Sequence, residues 1–161
     1  MNLRTRLFSV VGLAFLLVAA ARPAHAQAWQ FGPQLSFADK HFDFGIGARA
    51  VLDLERLAPS VKNVSIIGTF DYFFPDVRGN PWEINVNGAY RFSTPNVKIF
   101  PYAGAGLGFT HWGAYSFNKA HLNLVGGTKF QPLGKIQPFA EVRLKLRSGG
   151  GQFVITGGVL Y

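Results

Sequence analysis

The sequence predicts an all-β protein: an eight-stranded antiparallel up-and-down transmembrane β-barrel that follows a cleavable signal peptide. Three observations predict it. Aromatics form 15% of the 161 residues, sixteen of them Phe, and Gly contributes 19, a composition of strand formers and close backbone approaches. Apolar residues recur at every second position through eight segments, the period of a strand with unlike faces. Charged residues collect on the face opposite the Phe and Ile side chains, which inverts the polarity of a water-soluble barrel.

Composition bounds the alternatives. A chain 48% hydrophobic and 15% charged is not a disordered tail, and without cysteine it is neither a disulfide scaffold nor a zinc-finger-like module. Residues 1–26 read as an export signal: Arg4 and Arg6 form a positive start, Leu7 to Ala21 is apolar apart from Ser9, and Ala24-His25-Ala26 is an A-x-A cleavage site. That apolar run is shorter than the roughly 20 residues a helical span requires. The barrel is then residues 27–161. Losing Arg4, Arg6 and Arg22 lowers the formal charge from +8 to +5, with thirteen basic and eight acidic residues remaining. No later apolar run approaches span length, so any membrane is crossed by strands. Nucleic acid is not an expected partner of an exported chain.

The segments follow in order. Trp29 to Phe37 alternates Trp29, Phe31, Pro33, Leu35 and Phe37 with Gln30, Gly32, Gln34 and Ser36. Phe42 to Leu54 sets seven apolar residues against Asp43, Gly45, Gly47, Arg49, Val51 and Asp53, with Val51 the only misfit. Val64 to Phe74 is less pure. Trp82 to Phe92 is the clearest case, its even positions Trp, Ile, Val, Gly, Tyr and Phe and its odd ones mostly polar. Lys98 to Thr110 opposes Ala103, Ala105, Leu107 and Phe109 to Gly104, Gly106 and Gly108. Ala120 to Phe130, Gln137 to Leu146 and Phe153 to Tyr161 complete the set. Turn-forming residues separate the segments, and Glu55 to Asn63 and His111 to Lys119 are the two longer connections. An even number of strands with hairpin-sized links closes most simply as a barrel with both ends on one side.

The polar face carries Asp43, Asp53, Asp71, Glu83 and Glu141 with Arg49, Arg91, Lys129, Arg143 and Lys145. Five acids against five bases form a self-neutralising interior, with His121 a further member of this polar network. The glycines at 45, 47, 104, 106 and 108 suit a narrow inner wall, and so crowded a lumen is not an open pore. Rings fall at segment ends, as an interfacial girdle requires: Trp29, Phe31, Tyr90, Phe92, Phe130 and Tyr161 at one rim, Phe37, Phe42, Phe44, Phe74, Trp82 and Phe109 at the other.

Pro101-Tyr102-Ala103-Gly104-Ala105-Gly106-Leu107-Gly108-Phe109, Asn123-Leu124-Val125-Gly126-Gly127-Thr128-Lys129-Phe130, Pro138-Phe139-Ala140-Glu141-Val142-Arg143 and an aromatic last residue resemble the small outer-membrane β-barrel family, the opacity-like and OmpX-like proteins of Gram-negative-type bacteria. The resemblance covers nearly all of residues 27–161. It implies a monomeric barrel in the bacterial outer membrane, with lipid and lipopolysaccharide as surroundings and a structural or surface-interaction role. It also implies recognition by the barrel assembly machinery through Phe153, Ile155, Val159 and Tyr161. The last residue is Tyr where the family signal has Phe, and glycines stand at 157 and 158.

Chemistry is sparse. Ser36, Asp39 and His41 lie within a few residues of one another and raise a lipid A-modifying enzyme as one alternative. The deacylase branch of such enzymes carries His-x-Ser on a late strand, and residues 143–148 here hold no His. A soluble periplasmic lipocalin-like carrier is the other alternative. No His/Asp/Glu spacing suggests a metal, no cofactor is expected, and the alternate glycines at 104, 106 and 108 lie within a strand, not in a phosphate loop. Lys40, Arg78, Lys119 and Arg147 are expected at the outer rim, where lipopolysaccharide phosphates lie, and Trp112, Tyr115 and Phe117 in the longest outer loop.

Overall fold

Alternation becomes strand at each expected place: β1 (Trp29–Ala38), β2 (Asp43–Asp53), β3 (Val64–Phe74), β4 (Trp82–Arg91), β5 (Ile99–Trp112), β6 (Phe117–Phe130), β7 (Gln137–Arg147) and β8 (Gly150–Leu160). The computed structural model describes residues 28–39, 43–75, 79–95, 98–113, 117–147 and 150–161, so the export segment 1–26 lies outside it, as do His41 and Phe42. Every strand is antiparallel to its sequence neighbour and β8 returns to β1, closing the barrel. One rim carries the start of β1, the end of β8 and the connections after β2, β4 and β6; it is called the terminal rim. The opposite, hairpin rim carries the other four connections.

Most neighbours are long-paired: β5 and β6 match fourteen residues, Ile99↔Phe130 through Trp112↔Phe117. That pairing corrects the expected long connection at His111 to Lys119. The alternation carries on through Trp112 and resumes at Phe117, so only a short hairpin is left, and Trp112 belongs to the wall. By contrast the β1–β8 seam registers five pairs, Gln34↔Gly158 to Ala38↔Val154. Reciprocal bonds between the backbones of Phe31 and Tyr161, 3.3 and 2.8 Å, extend it to the terminal rim.

The terminal-rim connections are built locally. After β2 the carboxylate of Asp53 accepts from the Glu55 N–H at 3.1 Å and caps a single helical turn, α1 (Leu54–Leu57). Between β6 and β7, Leu133 and Ile136 exchange backbone bonds of 2.7 and 3.2 Å around Gly134, whose φ of 65° fits the positive-φ requirement of a two-residue hairpin.

Polarity is inverted. Ile46, Ile84 and Val86 are 48%, 48% and 55% exposed on the outer wall, whereas Glu83 is 3% exposed inside. This overturns the soluble carrier, which needs the reverse arrangement and an apolar cavity. Val51, a misfit in the alternation of β2, faces inward and is buried with Ile67, Ala89, Tyr102, Phe139 and Leu160. These six form an apolar plug near the terminal rim. Ala38, Phe73 and Val154 form a smaller plug near the hairpin rim.

Glycine gives the plugs room. A Cβ on Gly45 would sit 2.7 Å from the Phe73 ring, one on Gly158 2.9 Å from Phe139, and one on Gly127 2.7 Å from the Tyr102 hydroxyl. Gly126, one residue away on the outer face, has nothing within 4 Å of its Cβ position. Gly127→Ala is therefore expected to destabilise the barrel by about 1–3 kcal/mol through overpacking. Gly126→Ala should be neutral or stabilising by up to about 1 kcal/mol through the less flexible unfolded chain. Urea titration of both variants in the same detergent checks the pair.

Candidate interior site

Between the plugs lies the only dense polar constellation among the described residues, and β7 is its spine. Three successive inward positions of that strand reach across the lumen to three successive partner strands. Glu141 meets Arg49 of β2 in a two-pronged contact, 2.7 and 2.9 Å. Arg143 reaches Asp71 of β3 at 3.1 Å, and Lys145 reaches Glu83 of β4 at 2.6 Å. The period of two puts these side chains on one face, and antiparallel closure brings their partners opposite them.

Neutral groups tie the pairs together. The Tyr102 hydroxyl donates to Glu141 at 2.7 Å, and Arg49 also donates through Nε to Gln34 at 3.0 Å. Gln34 and Ser36 both donate to Oδ1 of Asp71, at 2.7 and 2.8 Å. Thr110 donates to Glu83 at 3.0 Å. The Asn123 amide donates to Asn85 and Asn87, both at 3.0 Å. His121 lies 3.2 Å from Asn85 and 3.5 Å from Thr110 through its two ring nitrogens. The Arg49 guanidinium also lies over the Phe139 ring, 4.1 Å from its centre, so ionic layer and plug meet directly.

Three acids and three bases thus cancel in a region where none of the six is more than about one-twentieth exposed. Burying one such charge unpaired costs several kcal/mol, and good geometry with satisfied lone pairs offsets that cost. The other interior candidates sit elsewhere. Asp53, Arg91 and Lys129 line the mouth of the terminal rim, beside Ser65 and Phe100. The Arg91 side chain is 41% exposed and pairs with Glu55 at 3.2 Å, so it belongs to the rim and not to the buried ionic layer. Lys129 donates to Gln30 at 2.8 Å. The Asp43 side chain lies outside the described residues.

The charged set with His121 left out Gln34, Ser36, Thr69, Asn85, Asn87, Asn123 and Thr156, all buried in this network. Their inward parity is the signal that finds them. Ser36 is wholly buried on Asp71 and Thr156, and the Asp39 carboxylate accepts from the Phe153 N–H at 3.0 Å. From there the seryl hydroxyl does not reach the lipid-facing wall, and His41 lies outside the described residues. Among the described residues, no three His, Asp or Glu side chains gather as metal ligands would.

The outer wall carries rings at both levels. At the terminal rim Trp29 stacks on Phe31 with centres 5.7 Å apart, Tyr90 meets Phe92 edge-on, and Phe130 and Tyr161 are exposed. At the hairpin rim the rings run on from strand to strand: Phe37 to Phe44 at 5.4 Å, Phe44 to Phe74 at 6.2 Å, and Trp82 to Phe109 at 5.9 Å.

No family model matches the sequence, and no curated protein does either. Solved structures share the fold. The N-terminal β-barrel domain of Pseudomonas aeruginosa OprF is 18% identical with a TM-score of 0.61, covering 81% of this chain and 95% of that one. Neisserial surface protein A is 13% identical with a TM-score of 0.57, over 82% of this chain and 94% of that one. A de novo designed transmembrane β-barrel is 10% identical with a TM-score of 0.58, over 88% of this chain and 97% of that one. A designed sequence among them makes the point that this similarity is one of backbone geometry: the fold is that of a small transmembrane β-barrel.

Proposed function

We propose that the protein is an outer-membrane barrel that works through its surface, stabilising the envelope and contacting lipopolysaccharide or another surface partner, and that it is neither a pore nor an enzyme. The single observation that carries this reading is a lumen filled from plug to plug by neutral ion pairs, which leaves the wall and the rims as the only surfaces for interaction. Export through residues 1–26 and assembly through the apolar face of β8 complete it. Lys119 and Arg147, near the hairpin-rim ends of β6 and β7, support a contact with lipopolysaccharide phosphates there.

The test has three arms. The chain is expected to stay in the membrane fraction through carbonate washing and to migrate differently on gels before and after boiling. Reconstituted in planar bilayers, it should give no stepwise conductance. Lipopolysaccharide should remain bound through purification and be lost from a Lys119→Gln/Arg147→Gln variant. Release by carbonate overturns the membrane location, conductance overturns the closed lumen, and retention of lipopolysaccharide by the variant overturns the contact at this rim.

A further inference from the structure

The ion-paired interior is neutral, so the net charge of the described residues belongs to the two rims, and topology divides it unequally. The terminal rim and its connections hold Arg56, Lys62, Arg91, Lys98, Lys129 and Lys135 against Asp53 and Glu55, a net +4. Among the described side chains the hairpin rim and its connections hold Lys119 and Arg147 against Asp39, a net +1. The two acids of the terminal rim are already engaged by arginines, Asp53 with Arg56 at 3.8 Å and Glu55 with Arg91 at 3.2 Å. Among the lysines of this rim, Lys62, Lys98 and Lys135 are exposed.

A second observation lies at the same level. The connections that carry these lysines also expose aliphatic side chains beyond the ring girdle: Leu57 at 46%, Val61 at 37% and Leu133 at 72%. Leu133 and Lys135 share one tight hairpin, and Val61 adjoins Lys62. Aliphatic groups beside ammonium groups, just outside a Trp/Tyr/Phe belt, suit the boundary between acyl chains and negatively charged headgroups.

We propose that the terminal rim is a basic collar that binds the headgroups of anionic phospholipid, phosphatidylglycerol being the probe, in the leaflet it faces. This rests on the membrane reading above and goes beyond it, because it assigns the charge surplus to the rim opposite the one that would meet lipopolysaccharide. The lysines hold headgroup phosphates while Leu57, Val61 and Leu133 dip among the upper methylenes, fixing the barrel's height in the bilayer.

The full chain, reconstituted in nanodiscs of equal phosphatidylethanolamine and phosphatidylglycerol, is released into mild detergent and its retained lipids counted by native mass spectrometry. Phosphatidylglycerol is expected to be enriched, with the enrichment falling as salt is raised. Lys62→Gln, Lys98→Gln and Lys135→Gln should each lower it, by up to about fivefold per lysine. Lys119→Gln/Arg147→Gln should leave it unchanged. Equal retention of the two lipids, enrichment indifferent to salt, equal loss from the hairpin-rim variant, or displacement of phosphatidylglycerol by lipopolysaccharide at the terminal rim would each overturn the collar. The gel shift on boiling, measured on the same samples, reports separately whether the barrel itself has folded, and the salt titration of the unmodified protein decides the matter even if a variant does not fold.

Discussion

Glu141→Gln is expected to cost the folded barrel about 3–5 kcal/mol, the penalty for leaving one member of a buried pair without its countercharge. Its partner Arg49 has a side chain only 1% exposed, and both prongs of the guanidinium are committed to Glu141. The Tyr102 hydroxyl loses a charged acceptor in the same step. Adding Arg49→Met to Glu141→Gln should recover most of the loss, because removing both charges spares their desolvation. Equilibrium unfolding by urea in lipid or detergent measures all three proteins. A cost below about 1 kcal/mol for the single variant would mean that water reaches the pair and that the plugs do not seal, since exposed pairs are worth no more than that.

Val86→Arg is expected to lose about 2–4 kcal/mol when the barrel folds into a bilayer, the cost of a cation at mid-depth on the lipid face. Val86 is 55% exposed near the middle of β4 and pairs with Leu107, itself 64% exposed. Ile99→Arg, at the first position of β5, should cost no more than about 1 kcal/mol because an interfacial guanidinium keeps its water. Folding titrations into lipid vesicles compare the two. Were the outer wall meant for water, both substitutions would fall within about 0.5 kcal/mol of the parent, as surface changes ordinarily do.

Strand positions were legible because a period of two needs no knowledge of tertiary structure, and Trp82 to Phe92 declares both its faces unaided. Height along the barrel was not. Parity puts Arg49 and Arg91 alike on the inner face, but whether a residue lands mid-lumen or at a mouth depends on strand tilt and register. Arg49 meets Glu141, 92 residues away, whereas Arg91 ends a strand and turns to Glu55 at the rim. The same blindness made Val51 look like an error in a polar face, when it belongs to an apolar layer assembled from six strands. The β5–β6 hairpin was hidden for a different reason. His111, Trp112 and Asn118 resemble loop composition, and only the fourteen-residue register shows the wall continuing through them.

The five-pair seam is what removes the free edges of the sheet. Since β1 pairs along one edge with β2 and its other edge is covered only by β8, any state without that seam presents bare strand edges, the feature that templates aggregation in β proteins. A chain lacking residues 154–158 is therefore expected to be an open, adhesive ribbon and not a smaller barrel.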